Sequence, residues 1–241
     1  MNKYIYLLWP RQSLTLAGLR TLMLEQCAPN LLALGIDGLQ MNLVDDLVTV
    51  KSPAPQLFGP KPFAAMVVIH PGETGRRQAC EQLLQEAGFD IAGYRVDEWL
   101  YTDYGENRHG APRHWPDGER SPGFVAITLI QRPPRIPQDE WMRRWFGWQS
   151  PMSEWMQPRS RYVRNLVEET LTPEAPVLDG IVEESWPSAE HIRNPYLFYG
   201  ARSTWELMRN MGIMLRSVTR MLRLTHLTSL MTSEYFIKSP Q

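Results

Sequence analysis

The chain repeats itself, and that repetition limits its fold more than any other feature. Residues 27–34, CAPNLLAL, align with residues 149–156, QSPMSEWM, so that Pro29 falls on Pro151. One residue of slippage later, MNLVDD at 41–46 falls on RNLVEE at 164–169. Near the ends of the two halves, DEWLY at 97–101 falls on SEYFI at 233–237. Matches in the same chain order point to a duplicated unit, and a repeat constrains a fold before any single residue does.

The better-marked copy centres on residues 141–169, an aromatic helix with a proline in its last turns that runs into a strand. Trp141, Trp145, Trp148, Met152 and Trp155 fall on one face of an α-helix, which assigns all five to the core side. Pro137 opens the segment, and Asp139 and Glu140 sit in the first turn, where the helix dipole favours negative charge. Pro151 has no N–H for the carbonyl of Gly147, and its ring crowds that carbonyl, so the helix bends or pauses there. Glycine at 147 eases the crowding. Two readings stay open at this point: a plain kinked core helix, or a cavity at the kink with the freed carbonyl and the Gln149 amide pointing into it.

Apolar patterning and breakers give the same element order twice. The first half reads strand 4–8, helix 14–34, strand 39–50, turn-rich 52–62, strand 63–69, helix 76–87 and strand 91–101. The second reads strand 124–131, the tryptophan helix, strand 162–171, strand 178–186, helix 205–224 and strand 228–238. Strand-helix-strand-strand-helix-strand is the ferredoxin-like arrangement, with both helices on one face of an antiparallel sheet. The expected fold class is α+β, with tandem ferredoxin-like βαββαβ domains at 1–103 and 123–241 forming an intramolecular α+β barrel. Residues 104–122 carry Gly, Pro and charge without periodicity and read as a solvated linker. Its His109 and His114 lack the further ligands a metal would need. Residues 187–203 are an insertion containing Tyr196, Phe198 and Tyr199, either a lid over a pocket or a packed surface loop. On helix 205–224, Leu207, Met211, Met214, Leu215, Val218 and Leu222 are expected inward, with Arg209, Arg216, Arg220 and Arg223 on the other side.

Composition removes several function classes. A net charge of −1 gives no support for nucleic acid or an anionic membrane as a bulk partner. The third strands lack the exposed aromatics and basic Gly-containing pattern of RNA-recognition domains, and no GxGxxG or Walker pattern follows a strand. Two cysteines, Cys27 and Cys80, make neither a disulfide framework nor a zinc pattern and are expected as buried thiols. No apolar run reaches membrane-spanning length, and the apolar start at 4–9 is too short for a secretory leader. A cytoplasmic protein without metal or cofactor is the expectation.

GFVAITLIQRP, WMRRWFGWQSPMSEW, RYVRNLV, LDGIVEESW and SEYFIK, within residues 123–238, resemble the EthD family of dimeric α+β barrels. RYVRN and DGIVEESW are the most specific of these stretches, and the first half resembles a diverged second copy. The resemblance implies two ferredoxin-like halves packed sheet to sheet, one chain forming the barrel that relatives build from two. It also implies an apolar small-molecule ligand, in oxidative catabolism of ethers and other apolar compounds or in polyketide-like metabolism. The expected role is an enzyme or accessory protein of that chemistry; the alternative is a non-catalytic ligand-binding or assembly module. Relatives often carry His two positions before the helix proline, where this chain has Cys27 and Gln149. The expected partners are the small-molecule ligand and, as an open option, a second copy of the chain in a homodimer.

The expected ligand-binding residues are Trp145, Gln149, Tyr162, Asn165, Glu183 and Trp186, with no catalytic residue assigned. Gln149 cannot titrate but can hydrogen-bond a ligand carbonyl or hydroxyl. Cys27 needs a stabilised thiolate to act as a nucleophile, and no cation stands beside it in sequence. Glu183 and Glu184 must point to opposite sides of a strand, as must Tyr162 and Asn165; one glutamate of the first pair is a candidate base. His70 and His191 have no convincing partner in sequence. The larger and more enclosed cavity is expected in the second half, because Met23 and Cys27 replace Trp145 and Gln149 in the first.

Overall fold

In the first strand, β1 (Lys3–Pro10), Ile5 and Leu7 point one way and Tyr6 and Leu8 the other, yet all four are buried. Burial on both faces is what a strand needs when a barrel interior lies on one side and helices cover the other. A computed structural model describing residues 3–54, 56–72 and 76–240 shows that arrangement. The first half continues with α1 (Leu16–Thr21), a π-helical turn at Leu22–Cys27, α2 (Ala28–Ala33), β2 (Gly38–Leu43), β3 (Ala65–His70), α3 (Arg77–Glu86) and β4 (Phe89–Thr102). The second has β5 (Phe124–Ile130), α4 (Gln138–Arg144), a π-helical turn at Trp145–Gln149, α5 (Ser150–Met156), β6 (Arg161–Thr170) and β7 (Gly180–Trp186). Short α6 (Ala189–Arg193) and α7 (Pro195–Phe198), then α8 (Thr204–Met221) and β8 (Thr228–Lys238), complete it.

All eight strands form one closed antiparallel barrel in the order β1-β3-β2-β8-β5-β7-β6-β4. The runs β4-β1-β3-β2 and β8-β5-β7-β6 come from the two halves. They meet where Met41 on β2 pairs with Tyr235 on β8 and where Asp97 on β4 pairs with Leu166 on β6. Two separate sheets merely facing each other is therefore not the arrangement. Pairing the edge strands across the halves satisfies backbone groups that an open edge would leave exposed.

The interior is split by chemistry. Ile5, Leu7, Met66, Val68, Ile127, Leu129 and Ile181 form an apolar layer. Lys3, Gln40, Asn42, Arg161, Asn165, Glu183, Thr232 and Glu234 form a buried polar layer drawn from both halves.

Three sequence expectations need correction. β2 ends at Leu43, well short of residue 50, because the Asp45 carboxylate accepts from Leu47 N and from the Ser233 and Tyr235 hydroxyls, turning the chain. Residues 104–122 are packed against the barrel: Tyr104 donates to Glu234 at 2.9 Å, Ser121 N bonds Glu234 O, and Arg113 stacks on Phe236 at 4.3 Å. On α8 the buried positions are Leu207, Asn210, Ser217 and Met221, while Met211 and Leu215 are exposed. Among the described residues, no helix is long and apolar enough to cross a membrane.

Candidate functional site

The site grows out of the proline. With no N–H at Pro151, the helix closes an i→i+5 bond from Ser150 N to Trp145 O, and the Ser150 hydroxyl donates to the same carbonyl at 3.0 Å. One extra residue in a turn rotates everything beyond it by roughly 100°. The buried positions therefore run Trp141, Trp145, Gln149, Ser150, Ser153, Met156, and the expected core residues Trp148 and Trp155 are 62% and 61% exposed. The apolar stripe is thus inward before the π turn and outward after it.

Between this helix and the outer face of the second-half sheet lies a pocket of about 260 Å³. Its floor is Ala126, Thr128, Val182 and Met231, and Trp145, Met214 and Val218 roof it. Trp186 and Phe198 stack at 4.6 Å with ring planes 11° apart, so the insertion does form one wall. Asn210 holds that insertion to α8 by donating to Tyr199 O at 2.8 Å. Ser52, Pro53 and Ala54 close the pocket from the other half of the chain. Sequence reading missed this loop, because its Ser and Pro residues signal a turn without saying where the turn lands.

Polar groups on the wall are few. Gln149 is only 9% exposed; its Nε2 has a long contact of 3.5 Å with Met214 Sδ, and its Oε1 has no partner among the described residues. The freed carbonyl at the kink is not its partner. Tyr162 accepts from Trp145 Nε1 at 3.2 Å and lies under the Arg159 guanidinium at 3.9 Å. Burial raises the Tyr162 pKa, so the phenol keeps its proton. Glu184 reaches the pocket with its carboxylate bonded to Arg159 Nη1 at 2.6 Å. Arg159, itself buried, also touches Ser153 and Glu154, so its charge is committed beneath the wall.

Of the six expected ligand residues, Trp145, Gln149, Tyr162 and Trp186 line this pocket, and Asn165 and Glu183 do not. Strand alternation sends the last two into the barrel interior. There Glu183 accepts from Lys3 at 3.1 Å, Gln40 at 2.8 Å and Asn165 at 2.9 Å, with Arg161 at 3.8 Å. Burial acts to raise its pKa, but Lys3, Arg161 and the two amides outweigh burial and hold it at about 2. Among the described residues that line the pocket, the one carboxylate is its neighbour, Glu184. Cys27 belongs to the first-half core, where burial pushes its thiol up to about 11. His70 is largely buried, which lowers its pKa, and His191 contacts the Ser188 hydroxyl at 2.9 Å. Neither lines the pocket.

Below the first-half helix, Leu19, Met23, Cys27 and Leu31 share one buried core cluster with Val67 and Ile69. The first half instead has a cleft of about 330 Å³ at the strand ends near Trp9, Leu14 and Phe63, with Leu14 and Leu16 exposed on its rim. The expectation about place is met, since the cavity under a helix is in the second half. The second-half pocket is also the more enclosed of the two, while the space open to water is slightly larger in the first-half cleft.

No protein-family model matches the chain, and no curated protein does. Among solved structures it is similar to the crystal structure of an anthrone oxidase-like protein, at 11% identity with a TM-score of 0.56. The match covers 100% of this chain and 94% of the other. What the two share is the fold.

Proposed function

We propose that this protein is an EthD-like tandem duplication that binds an apolar, hydroxyl-bearing small molecule in the second-half pocket. The observation that carries the reading is the unpartnered Gln149 Oε1 on a wall that is otherwise mainly apolar. A buried acceptor without a donor costs about 1–3 kcal/mol, and a ligand O–H removes that cost. A cavity of about 150 Å³ accommodates benzene, so 260 Å³ suits about two or three fused rings. The class named for the structural neighbour, an anthrone, is of that kind.

The duplication is supported by aligned residues in matching settings. Pro29 and Pro151 each follow a π-helical turn, Asn42 and Asn165 are both fully buried, and Glu98 and Glu234 both pair with a cation of the interior polar layer, Glu98 from an exposed position on Lys3 and Glu234 from within on Arg161. Domains at 1–103 and 123–241 follow from this reading. In an enzyme, Glu184 is the group that takes a proton from the ligand hydroxyl. In the alternative, a non-catalytic ligand-binding or assembly module, the pocket only holds its ligand; a glutamine in place of histidine at 149 favours this second reading.

Tryptophan fluorescence titration with hydroxylated bicyclic and tricyclic arenes, alongside their methyl ethers, tests the proposal. Hydroxylated compounds should bind at least ten-fold more tightly than their ethers. Equal affinities, or no binding by any member, overturns the ligand assignment. Mass spectrometry of the bound compound after incubation in air, with Glu184→Gln as control, separates the enzyme from the module.

A further inference from the structure

The π turn that buries Gln149 also turns Trp148 and Trp155 into solvent, and Trp205 at the start of α8 is exposed beside them. Trp148, Trp155 and Trp205 are 62%, 61% and 69% exposed, and they are grouped on one side of the molecule. A groove of about 990 Å³ runs between α5 and α8 there, on the far side of the helices from the ligand pocket. Trp148, Met152 and Trp155 form one wall, and Ile213, Arg216 and Arg220 the other. The Arg209 guanidinium lies over both Trp155 and Trp205, at 5.8 and 5.3 Å, which joins the aromatic patch to the basic edge of α8.

Charge decides what fits. Glu140, the carboxylate on this groove, is already bonded to Arg143 and Arg144, the latter at 2.7 Å. Arg216 and Arg220 make no ion pair among the described residues and are exposed. They stand one turn apart on α8, so their guanidiniums meet carboxylates spaced one turn apart on a facing helix. Opposite them, Trp148, Met152 and Trp155 make an apolar wall of the kind against which an amphipathic helix lays its apolar face. A membrane surface would be met by an amphipathic helix lying flat with its apolar face outward, whereas here the apolar and basic side chains stand on opposite walls of a groove. A second copy fits poorly: a two-fold contact through the groove brings Arg216 and Arg220 of both copies together, and like charges repel.

We propose that this groove docks an acidic amphipathic helix of a partner protein, with apolar side chains against the tryptophans and carboxylates on Arg216 and Arg220. A fluorescein-labelled 18-residue helical peptide with Leu at i, i+4, i+7 and i+11 and Glu on the flanks serves as the probe. A peptide with every Glu changed to Gln is the comparison. Fluorescence anisotropy against the full chain should show binding of the acidic peptide that is at least ten-fold tighter than that of the Gln peptide. The double variant Arg216→Glu/Arg220→Glu and the variant Trp155→Ala should each weaken it ten-fold or more, with circular dichroism unchanged because the altered side chains are exposed. Absent binding, equal binding of the two peptides, or indifference to the variants overturns the proposal. So does either competing occupant: co-sedimentation with 4:1 phosphatidylcholine:phosphatidylglycerol vesicles that the double variant abolishes, or a dimer in analytical ultracentrifugation that the same variant dissolves.

Discussion

Replacing Gln149 with Met removes one functional group and little else. Methionine matches glutamine in length, favours helix as well, and lies against Met214 without needing a hydrogen bond. The wild-type amide leaves a buried oxygen unpaired, a cost of about 1–3 kcal/mol in the ligand-free protein. Gln149→Met should therefore raise unfolding stability by about 1 kcal/mol, or a melting temperature by roughly 2–4 °C in a chain of this size. Binding should move the other way. Losing one hydrogen bond of about 1–3 kcal/mol weakens a hydroxylated ligand by roughly 5- to 150-fold. The methyl ether of the same ligand, which has no O–H to donate, should bind the two proteins equally. Thermal unfolding monitored by circular dichroism and fluorescence titration on one preparation give both numbers. A less stable variant with undiminished binding refutes the reasoning, because the amide would then serve the protein. Tighter wild-type binding of a quinone than of its hydroquinone refutes it in a second way, since the pocket would then present the amide N–H₂.

Glu183→Gln should destabilise the barrel by about 3–5 kcal/mol, because it leaves buried Lys3 and Arg161 short of a counter-charge. The Glu183 pKa in the folded chain, about 2, lies below its ordinary 4.5, so the carboxylate contributes stability above pH 4.5 that is lost as pH falls through 2. Urea unfolding across that window should show a steep loss in the wild type and a shallower one in the variant. Burial first of all raises the Glu234 pKa, so its sign is opposite, and Glu234→Gln should help increasingly as pH rises through that raised value. At the helix kink, a methyl group on Gly147 meets nothing within 4 Å, and Gly147→Ala should stabilise by roughly 0.5–1 kcal/mol. At Gly180 a Cβ comes within 2.7 Å of the Trp145 ring, so Gly180→Ala should cost about 1–3 kcal/mol and alter tryptophan fluorescence. Chemical denaturation of both alanine variants checks the pair.

Much of the fold was legible because strands and helices announce themselves by period. The last strand lies at Thr228–Lys238, where its pattern placed it, and β2 and β6 each begin one residue before their expected starts. Long-range pairing left no such trace. Nothing local in Met41 or Tyr235 says that they pair and close a barrel. The site was half legible for the same reason. Alternation separates Glu183 from Glu184 and Tyr162 from Asn165 with certainty, but it does not say which member of a pair faces the pocket. In a barrel covered by helices both sides are buried, so burial alone cannot break the tie. The deciding fact is the partner set: Glu183 faces Lys3 and Gln40, which belong to the other half of the chain and lie far away in sequence.

The helix at Trp141 shows how a single backbone feature can invert a correct pattern. Its five apolar residues do share a face in a regular α-helix, and the proline within it was visible from the start. What spacing alone does not supply is how the chain resolves the conflict between Pro151 and the Gly147 carbonyl. A sharp kink would have preserved the phase of the stripe and bent the axis, keeping Trp148 and Trp155 against the sheet. A π turn adds one residue to the register, so the two tryptophans move outward and Gln149 moves in. The first half repeats the device at Met23 to Ala28, where Ala28 N bonds Met23 O before Pro29. There the inward residues after the turn are Cys27, Ala28 and Leu31, and the space beneath is filled. The same backbone geometry therefore gives a packed core in one half and a pocket in the other. The difference lies in what the turn delivers inward: a thiol that packs as a small apolar group, or an amide that needs a donor.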